Sequence, residues 1–349
     1  MNGAGAGRRF KHLVLVVAGT VLGLVFLYLA FRDISWSDLS EGLTALDPVY
    51  LAPGVLLLLL AQLLRAIRFG LILRPFCPMR FKDLWDVVNV WAALNMVLPA
   101  RSAELVKPYL LRQWGAPFSS TLGAVLVERV FDLGSLLTLL AVVLWTTPQI
   151  PPEYAWWGNV FLGLFLAAYF LALLLLFRRE RAQAVVDFLV EWLPERGAAP
   201  IRGAFSRLID GLGIMASAWQ CVLIFICSLA VWLTFTVLVY LLLKAFAIDV
   251  SFLVALTIQV FLCFGVALPS APGFVGTFHA VGRYTLALFG VAAVPAVSFA
   301  TVYHVFSLVV SLLLGLISYW GSDIRFDRGV LSETAPAPEA THEEPIRTR

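Results

Sequence analysis

Uncharged runs long enough to cross a bilayer constrain this chain more than any other feature. Residues 219–243 are 25 consecutive positions without a formal charge, and residues 13–31, 155–177 and 297–320 form similar runs of 19, 23 and 24. About 20 apolar residues carry a helix across the hydrocarbon core, where every backbone amide and carbonyl must be satisfied within the protein. Apolar residues make up 61% of the chain and charged ones 13%, against about 45–50% and about 25% in soluble domains. A soluble globular fold is excluded, and the expected fold class is all-α, a polytopic integral membrane protein.

Six full crossings follow from the pattern, at residues 13–31, 48–64, 119–145, 155–177, 219–243 and 297–320. Two further apolar stretches are interrupted. Residues 84–98 end in Leu98-Pro99-Ala100-Arg101, and Glu104, Lys107 and Arg112 then prevent a second apolar pass. Residues 252–268 and 274–290 are separated by Pro269-Ser270-Ala271-Pro272-Gly273, where two prolines without amide donors must break a helix.

Charge bias orients these stretches, since cytoplasmic loops are enriched in Lys and Arg. If residues 84–98 belong to a re-entrant hairpin opening to the cytoplasm, both chain ends are cytoplasmic and 21 of the 25 basic residues lie inside. A full crossing there would instead send the arginine-rich segment after Phe177 outside. The second broken stretch then starts and ends on the outer side, as a re-entrant pair or as two short crossings; either break alone could be a mere kink, but two of opposite polarity give the chain an inverted-repeat character and point to a transporter's binding site. The expected organisation is a cytoplasmic N-terminus (residues 1–12), a membrane domain (13–323) with amphipathic surface helices at 178–213, and a disordered cytoplasmic tail (324–349).

The remaining totals narrow the class. The net charge of +3 comes without a basic cluster interleaved with aromatics, so nucleic acid is not an expected partner. Cys77, Cys221, Cys227 and Cys263 form no C-x-x-C pair and are read as small core residues. Neither a metal nor a cofactor is expected. His279 and His304 lack a third ligand at suitable spacing and are read as core or pore histidines.

Ionisable residues inside apolar runs are expensive and therefore candidates for function. Glu128 and Asp132 share a helix face one turn apart, and Arg129 is adjacent. They form either an ion network that fixes helix packing or the wall of a polar cavity that handles a charged head group or a proton. Arg65 and Arg68, three residues apart, either snorkel to lipid phosphates or face the cavity, where guanidinium offers bidentate donors to phosphate. Asn95 precedes the first break. Beyond it Arg101 stands beside a new helix start, which attracts anions, with Glu104 placed to orient it or to cap that helix.

Four elements then occur in a recognisable order: the Arg65/Arg68 pair, Leu98-Pro99-Ala100-Arg101-Ser102-Ala103-Glu104, Glu128-Arg129-x-x-Asp132, and Pro269-Ser270-Ala271-Pro272-Gly273-Phe274-Val275-Gly276. This set resembles the lysylphosphatidylglycerol synthase transmembrane-region family, flippase-like membrane proteins of bacteria and archaea, over roughly residues 10–323. Two departures stand out: Ala103 replaces the family's usual Gly, and Thr277, Phe278 and His279 occupy the neighbourhood of a commonly acidic position. In the synthases this region is fused to a cytosolic aminoacyl-transferase domain. Only 26 residues follow Asp323 here, so the resemblance implies the lipid-translocating half alone. Stand-alone relatives are linked to other lipids, including isoprenoid-type lipids and glycolipid precursors.

The leading expectation is a non-enzymatic lipid flippase of the cytoplasmic membrane that moves an anionic, phosphate-bearing phospholipid or isoprenoid-type lipid. Its site would comprise Arg65, Arg68, Asn95, Arg101, Glu104, Glu128, Arg129, Asp132, Pro269, Pro272, Gly273 and Gly276. The alternatives are an intramembrane head-group transferase or hydrolase, and a non-transporting subunit of a lipid-modifying complex. A homo-oligomer or a lipid-synthesising enzyme is the protein partner to be expected. The Gly19-x-x-x-Gly23 spacing permits close helix contact.

Overall fold

The computed structural model describes residues 20–75, 77–98, 103–147, 152–177, 187, 218–266 and 271–325. The expectations for the N-terminus, the surface helices, the tail, Arg101 and Pro269 therefore lie outside the described residues, apart from Asp187 and the residues before 326. Among the described residues the fold is all-helical. Its helices are α1 (Thr20–Phe31), α2 (Trp36–Thr44), α3 (Leu51–Leu73), α4 (Phe81–Val97), α5 (Val106–Leu111), α6 (Phe118–Thr146), α7 (Pro152–Phe177), α8 (Ala218–Ala245), α9 (Phe252–Gly265), α10 (Thr277–Ala287) and α11 (Ala293–Trp320).

Three stretches are long and apolar enough to cross a membrane: Pro48–Leu73, Trp219–Ala245 and Ala293–Trp320. The pair α1 and α2, bent by 78°, makes a fourth if taken as one span. The bend is written in the sequence. Ser35 caps α2 by accepting from the Asp38 amide, while the Asp38 carboxylate accepts from the Ser35 amide, and this reciprocal box starts a new helix where α1 stops. Arg283 of α10 closes the other side of the turn, donating to the carbonyls of Leu29 and Ala30 at 3.0 and 2.7 Å and to Asp33 at 3.0 Å. A cation on the C-terminal carbonyls of α1 is favourable. Asp33 is exposed, and Arg283 first, then Arg32, holds its carboxyl below the ordinary 3.8.

α6 is 29 residues and α7 is 26, roughly 43 and 39 Å at 1.5 Å per residue. By contrast α4 has 17 residues and α9 has 14, roughly 25 and 21 Å, short of the roughly 30 Å hydrocarbon core. α4 is unbroken from Phe81 to Val97 and lies along α11, while α3 pairs with α8, and α9 with α10 packs between α8, α6 and α11. The apolar core falls into separate patches. One joins α3, α4, α5 and α6 around Phe69, Val87, Leu110 and Val127. A second joins α3, α8, α9 and α11 around Leu58, Leu242, Ile258 and Phe299.

The second apolar stretch is interrupted as expected. After α9 the chain makes a short turn, Pro272–Phe274, before α10 begins at Thr277. Gly273 and Gly276 sit at φ of +69° and +86°, a region that L side chains enter only at a cost. Gly276 has a second reason to lack a side chain, because a Cβ there would lie 1.8 Å from the Gly23 carbonyl oxygen of α1. The Gly23 position is therefore used for close contact within this chain.

Candidate functional site

Five helices, α3, α4, α5, α6 and α8, contribute to one buried cluster. α6 brings Glu128, ten residues from its start, with Arg129 beside it and Asp132 one turn further on. α3 brings Arg68 near its end, with Arg65 and Gln62 each one turn earlier. α4 contributes Trp91 and Asn89, and α5 returns Lys107.

Arg68 is the keystone. Its Nη2 donates to Glu128 Oε1 at 2.5 Å, and its Nη1 donates to Asp132 and to Ser228 Oγ of α8, the latter at 2.9 Å. Lys107 Nζ donates to the other oxygen of Glu128 at 2.6 Å and lies 4.0 Å from the Trp91 ring centre and 4.5 Å from that of Phe69. Glu128 and Lys107 are 0% exposed and Arg68 is 1% exposed. Burying such charges costs several kcal/mol each and is tolerated only with good partners, which the carboxylates, Ser228 and the two rings supply. Arg68 thus neither snorkels to lipid phosphates nor stands free for a ligand.

Arg129 is one-third exposed, with its nitrogens 3.3 Å from Asp132, 3.5 Å from Glu128 and 3.7 Å from Glu104. Arg65 differs from the other cations. Among the described residues no carboxylate lies within ion-pair distance of it. Its Nη1 donates to Gln62 Oε1 at 2.9 Å, the Gln62 amide donates to Asn89 Oδ1 at 3.2 Å, and the Asn89 amide donates to the Trp85 carbonyl at 3.0 Å. The guanidinium carbon lies 4.8 Å from the Phe235 ring centre and 5.6 Å from that of Trp91. Arg129 is also 5.6 Å from the Trp91 ring, so one indole is flanked by three cations, each favoured by the ring face.

The charges do not balance. Arg65, Arg68, Lys107 and Arg129 face Glu104, Glu128 and Asp132, an excess of one positive charge among the described residues. Donors are also in surplus. Trp91 Nε1, Arg68 Nε and Arg129 Nε are buried without a hydrogen-bond acceptor, and Arg129 Nη2 has only the ion-pair contacts at 3.3 and 3.5 Å, against one unpaired acceptor in the cluster, Glu104 Oε2. Buried donors without partners are costly, and an anion is the complement that this set lacks.

The breaks come together. A Cβ on Gly273 would lie 3.1 Å from the Met96 carbonyl oxygen at the end of α4, so the second break touches the end of the first. Asn95 is half-buried one residue before Met96. Part of the backbone freed at the second break finds partners within the protein. His304 Nε2 lies 2.6 Å from the Gly273 carbonyl, and the Phe274 amide donates to the Ala271 carbonyl at 2.9 Å. Gly276 is packed on α1 and not on a cavity. Pro272 lies in the same short turn.

Sequence reasoning missed Lys107, Trp91, Asn89, Gln62 and Ser228 as members of the cluster. Lys107 had a signal, a single cation flanked by Leu105, Val106, Leu110 and Leu111. The four cysteines are free and partly buried.

A family model described as the lysylphosphatidylglycerol synthase TM region matches residues 16–315. The chain is 24% identical to a UPF0104 membrane protein of Methanothermobacter thermautotrophicus, over 90% of this chain and 97% of the relative. It is 32% identical over 139 residues to Glycosyltransferase AglD of Haloferax volcanii. That match takes in 39% of this chain and 22% of the glycosyltransferase, so most of the latter has no counterpart in the match.

Proposed function

Because this chain belongs to the lysylphosphatidylglycerol synthase TM region family, we propose that it is a flippase or transporter of the cytoplasmic membrane that moves an anionic, phosphate-bearing lipid between leaflets. The observation that carries this reading is the buried cluster around Trp91, with its excess positive charge and unpaired donors. A lipid phosphate brings one negative charge and several acceptor oxygens, which Arg65, Arg129 and the Trp91 N–H would share. Glu128, Arg68, Lys107 and Asp132 form the scaffold that holds those donors in place, and Glu104 steadies Arg129. Arg101 would add a further cation.

The topology that suits this function has six crossings and two re-entrant hairpins of inverted-repeat character. The short helices α4 and α9 each stop at a break, and the breaks meet where Gly273 approaches Met96. Exposed Trp145, Trp156 and Trp157 at one end and Trp219 and Trp320 at the other suit the two aromatic belts of a spanning protein. With both termini cytoplasmic, the cluster lies on the inner-leaflet side, since Arg68 is near the end of α3 and Glu128 is in the first half of α6. No Walker motif is present in the sequence, so movement is downhill or ion-coupled.

A second reading, a membrane subunit that serves a glycosyl-transferring enzyme, is supported by the name of the Haloferax relative. Purified protein alone in liposomes separates the two. Movement of a labelled phosphatidylglycerol between leaflets, with its mass unchanged, supports the flippase. A protein-free rate of movement would leave the subunit reading.

A further inference from the structure

Two imidazoles meet behind the second break, and neither belongs to the cationic cluster. His304 lies eleven residues into α11, roughly 16 Å along its axis, which is half the depth of a bilayer core. His279 lies in the first turn of α10. The ring centres are 5.2 Å apart and near perpendicular, and both residues are 6% exposed. His304 Nε2 faces the Gly273 carbonyl at 2.6 Å, and its ring is stacked on Phe278 at 4.9 Å. His279 Nδ1 has no hydrogen-bond partner, and its ring leans on Phe31 of α1 at 5.5 Å.

The groups facing the pair are apolar or already engaged. From α1 comes the Phe31 ring. From α10 come Phe278 and, one turn further on, Arg283, which is bound to the α1 carbonyls and to Asp33. From α11 comes Tyr303, whose hydroxyl donates to Gln259 of α9 at 3.0 Å. α4 presents the Met96 carbonyl to the neighbouring Gly273. Among the described residues no carboxylate lies within ion-pair distance of either imidazole.

Resting on the flippase reading, we propose that His279 and His304 form a proton-binding site, and that the protonated pair binds the anionic lipid together with its proton. Imidazole is the side chain that changes charge near neutral pH. Two imidazoles this close share one charge more readily than two, so the pair takes up a single proton. The Gly273 carbonyl accepts from His304, but an imidazolium here has no protein anion. A buried cation without one is costly, and a lipid phosphate reaching the meeting point of the breaks supplies it. Proton and anion then favour each other reciprocally, which gives downhill proton entry a means of driving lipid movement.

The test uses the full chain, labelled with 15N at histidine, in phosphatidylcholine nanodiscs with and without phosphatidylglycerol. Substitutions at His12, His279, His304 and His342 assign the four imidazoles. The expected result is that His279 and His304 titrate together with one proton between about pH 4 and pH 8, and that phosphatidylglycerol moves this titration to higher pH. In His279→Gln and His304→Gln the affinity for phosphatidylglycerol should lose most of a roughly 10-fold gain from pH 8 to pH 6, the coupling typical of linked sites. Failure of the native pair to titrate in that window overturns the inference, and so does a titration that phosphatidylglycerol does not move. Direct binding at pH 8 separates the two levels: lipid bound without pH dependence leaves the flippase reading in place, and no lipid bound at either pH removes it as well.

Discussion

Replacing Glu128 by Gln removes the one carboxylate that holds two buried cations at once. In the native protein Arg68 and Lys107 approach separate oxygens of Glu128 at 2.5 and 2.6 Å, and neither cation can turn to solvent. Arg68 keeps Asp132 and Ser228, but Lys107 keeps only the faces of Trp91 and Phe69. Breaking a buried pair by removing one partner costs about 3–5 kcal/mol. Glu128→Gln should fall in that range, and Lys107→Met should lie at its lower end because Glu128 still has Arg68. The double substitution restores the native net charge of the cluster. Its cost should therefore stay well below the sum of the single ones, with an interaction energy of about 2–3 kcal/mol. Equilibrium unfolding of the four proteins in mixed micelles measures each value. Additivity within about 0.5 kcal/mol would refute the coupling of Lys107 to Glu128.

Gly276→Ala should destabilise the protein by at least about 1–2 kcal/mol from its positive φ alone, with more from the clash with the Gly23 carbonyl, whereas Gly163→Ala, whose Cβ meets nothing within 4 Å, should leave thermal unfolding nearly unchanged. The Arg283–Asp33 clasp should be pH-dependent: because the Asp33 carboxyl is depressed when folded, its contribution is present above the ordinary 3.8 and is lost as pH falls through the lowered value. Hydrogen-exchange protection at Leu29 to Asp33, taken relative to the intrinsic rate at each pH, should fall in that acid window in the native protein and already at neutral pH in Arg283→Ala. Single cysteines at Ser37 and in the C-terminal tail should label from the outside and the inside of intact cells respectively, and tail labelling from outside would invert the proposed topology.

Much of the fold was legible because membrane depth leaves few options for a backbone. The long helices α7, α8 and α11 follow uncharged runs and α3 and α6 follow mainly apolar ones, and the break between α9 and α10 follows two prolines and glycines with positive φ. The Glu128-Arg129-x-x-Asp132 element announced itself as charge in an apolar run. Its partners did not. Lys107 shows in the sequence only as a single cation among apolar neighbours, and the packing of α5 against α4 and α6 turns it inward. Trp91 and Asn89 look like ordinary members of α4 until Arg65 and Lys107 approach from other helices. Arg68 and Arg65 have the same residue type one turn apart and opposite fates, because Arg68 points at α6 while Arg65 points at the gap between Trp91 and Phe235. Helix rotation decides that difference, and residues 48–73 are too uniformly apolar to reveal it.

The most direct test compares leaflet-to-leaflet movement of labelled phosphatidylglycerol and phosphatidylcholine in proteoliposomes of the native protein and of Arg65→Ala. Arg65 has no carboxylate partner among the described residues, but its removal also gives up the Gln62 hydrogen bond and the Phe235 and Trp91 ring contacts, so thermal unfolding of the variant accompanies the assay. A lost charge-assisted hydrogen bond to phosphate is worth about 1.5–3 kcal/mol, a rate loss of roughly 10- to 100-fold. The predicted result is phosphatidylglycerol movement well above the protein-free rate in the native protein, slowed by that factor in a fully folded Arg65→Ala. Movement at the protein-free rate in the native protein, or equal movement of both lipids whatever residue stands at 65, would contradict the assignment of the Trp91 cluster as an anionic head-group site.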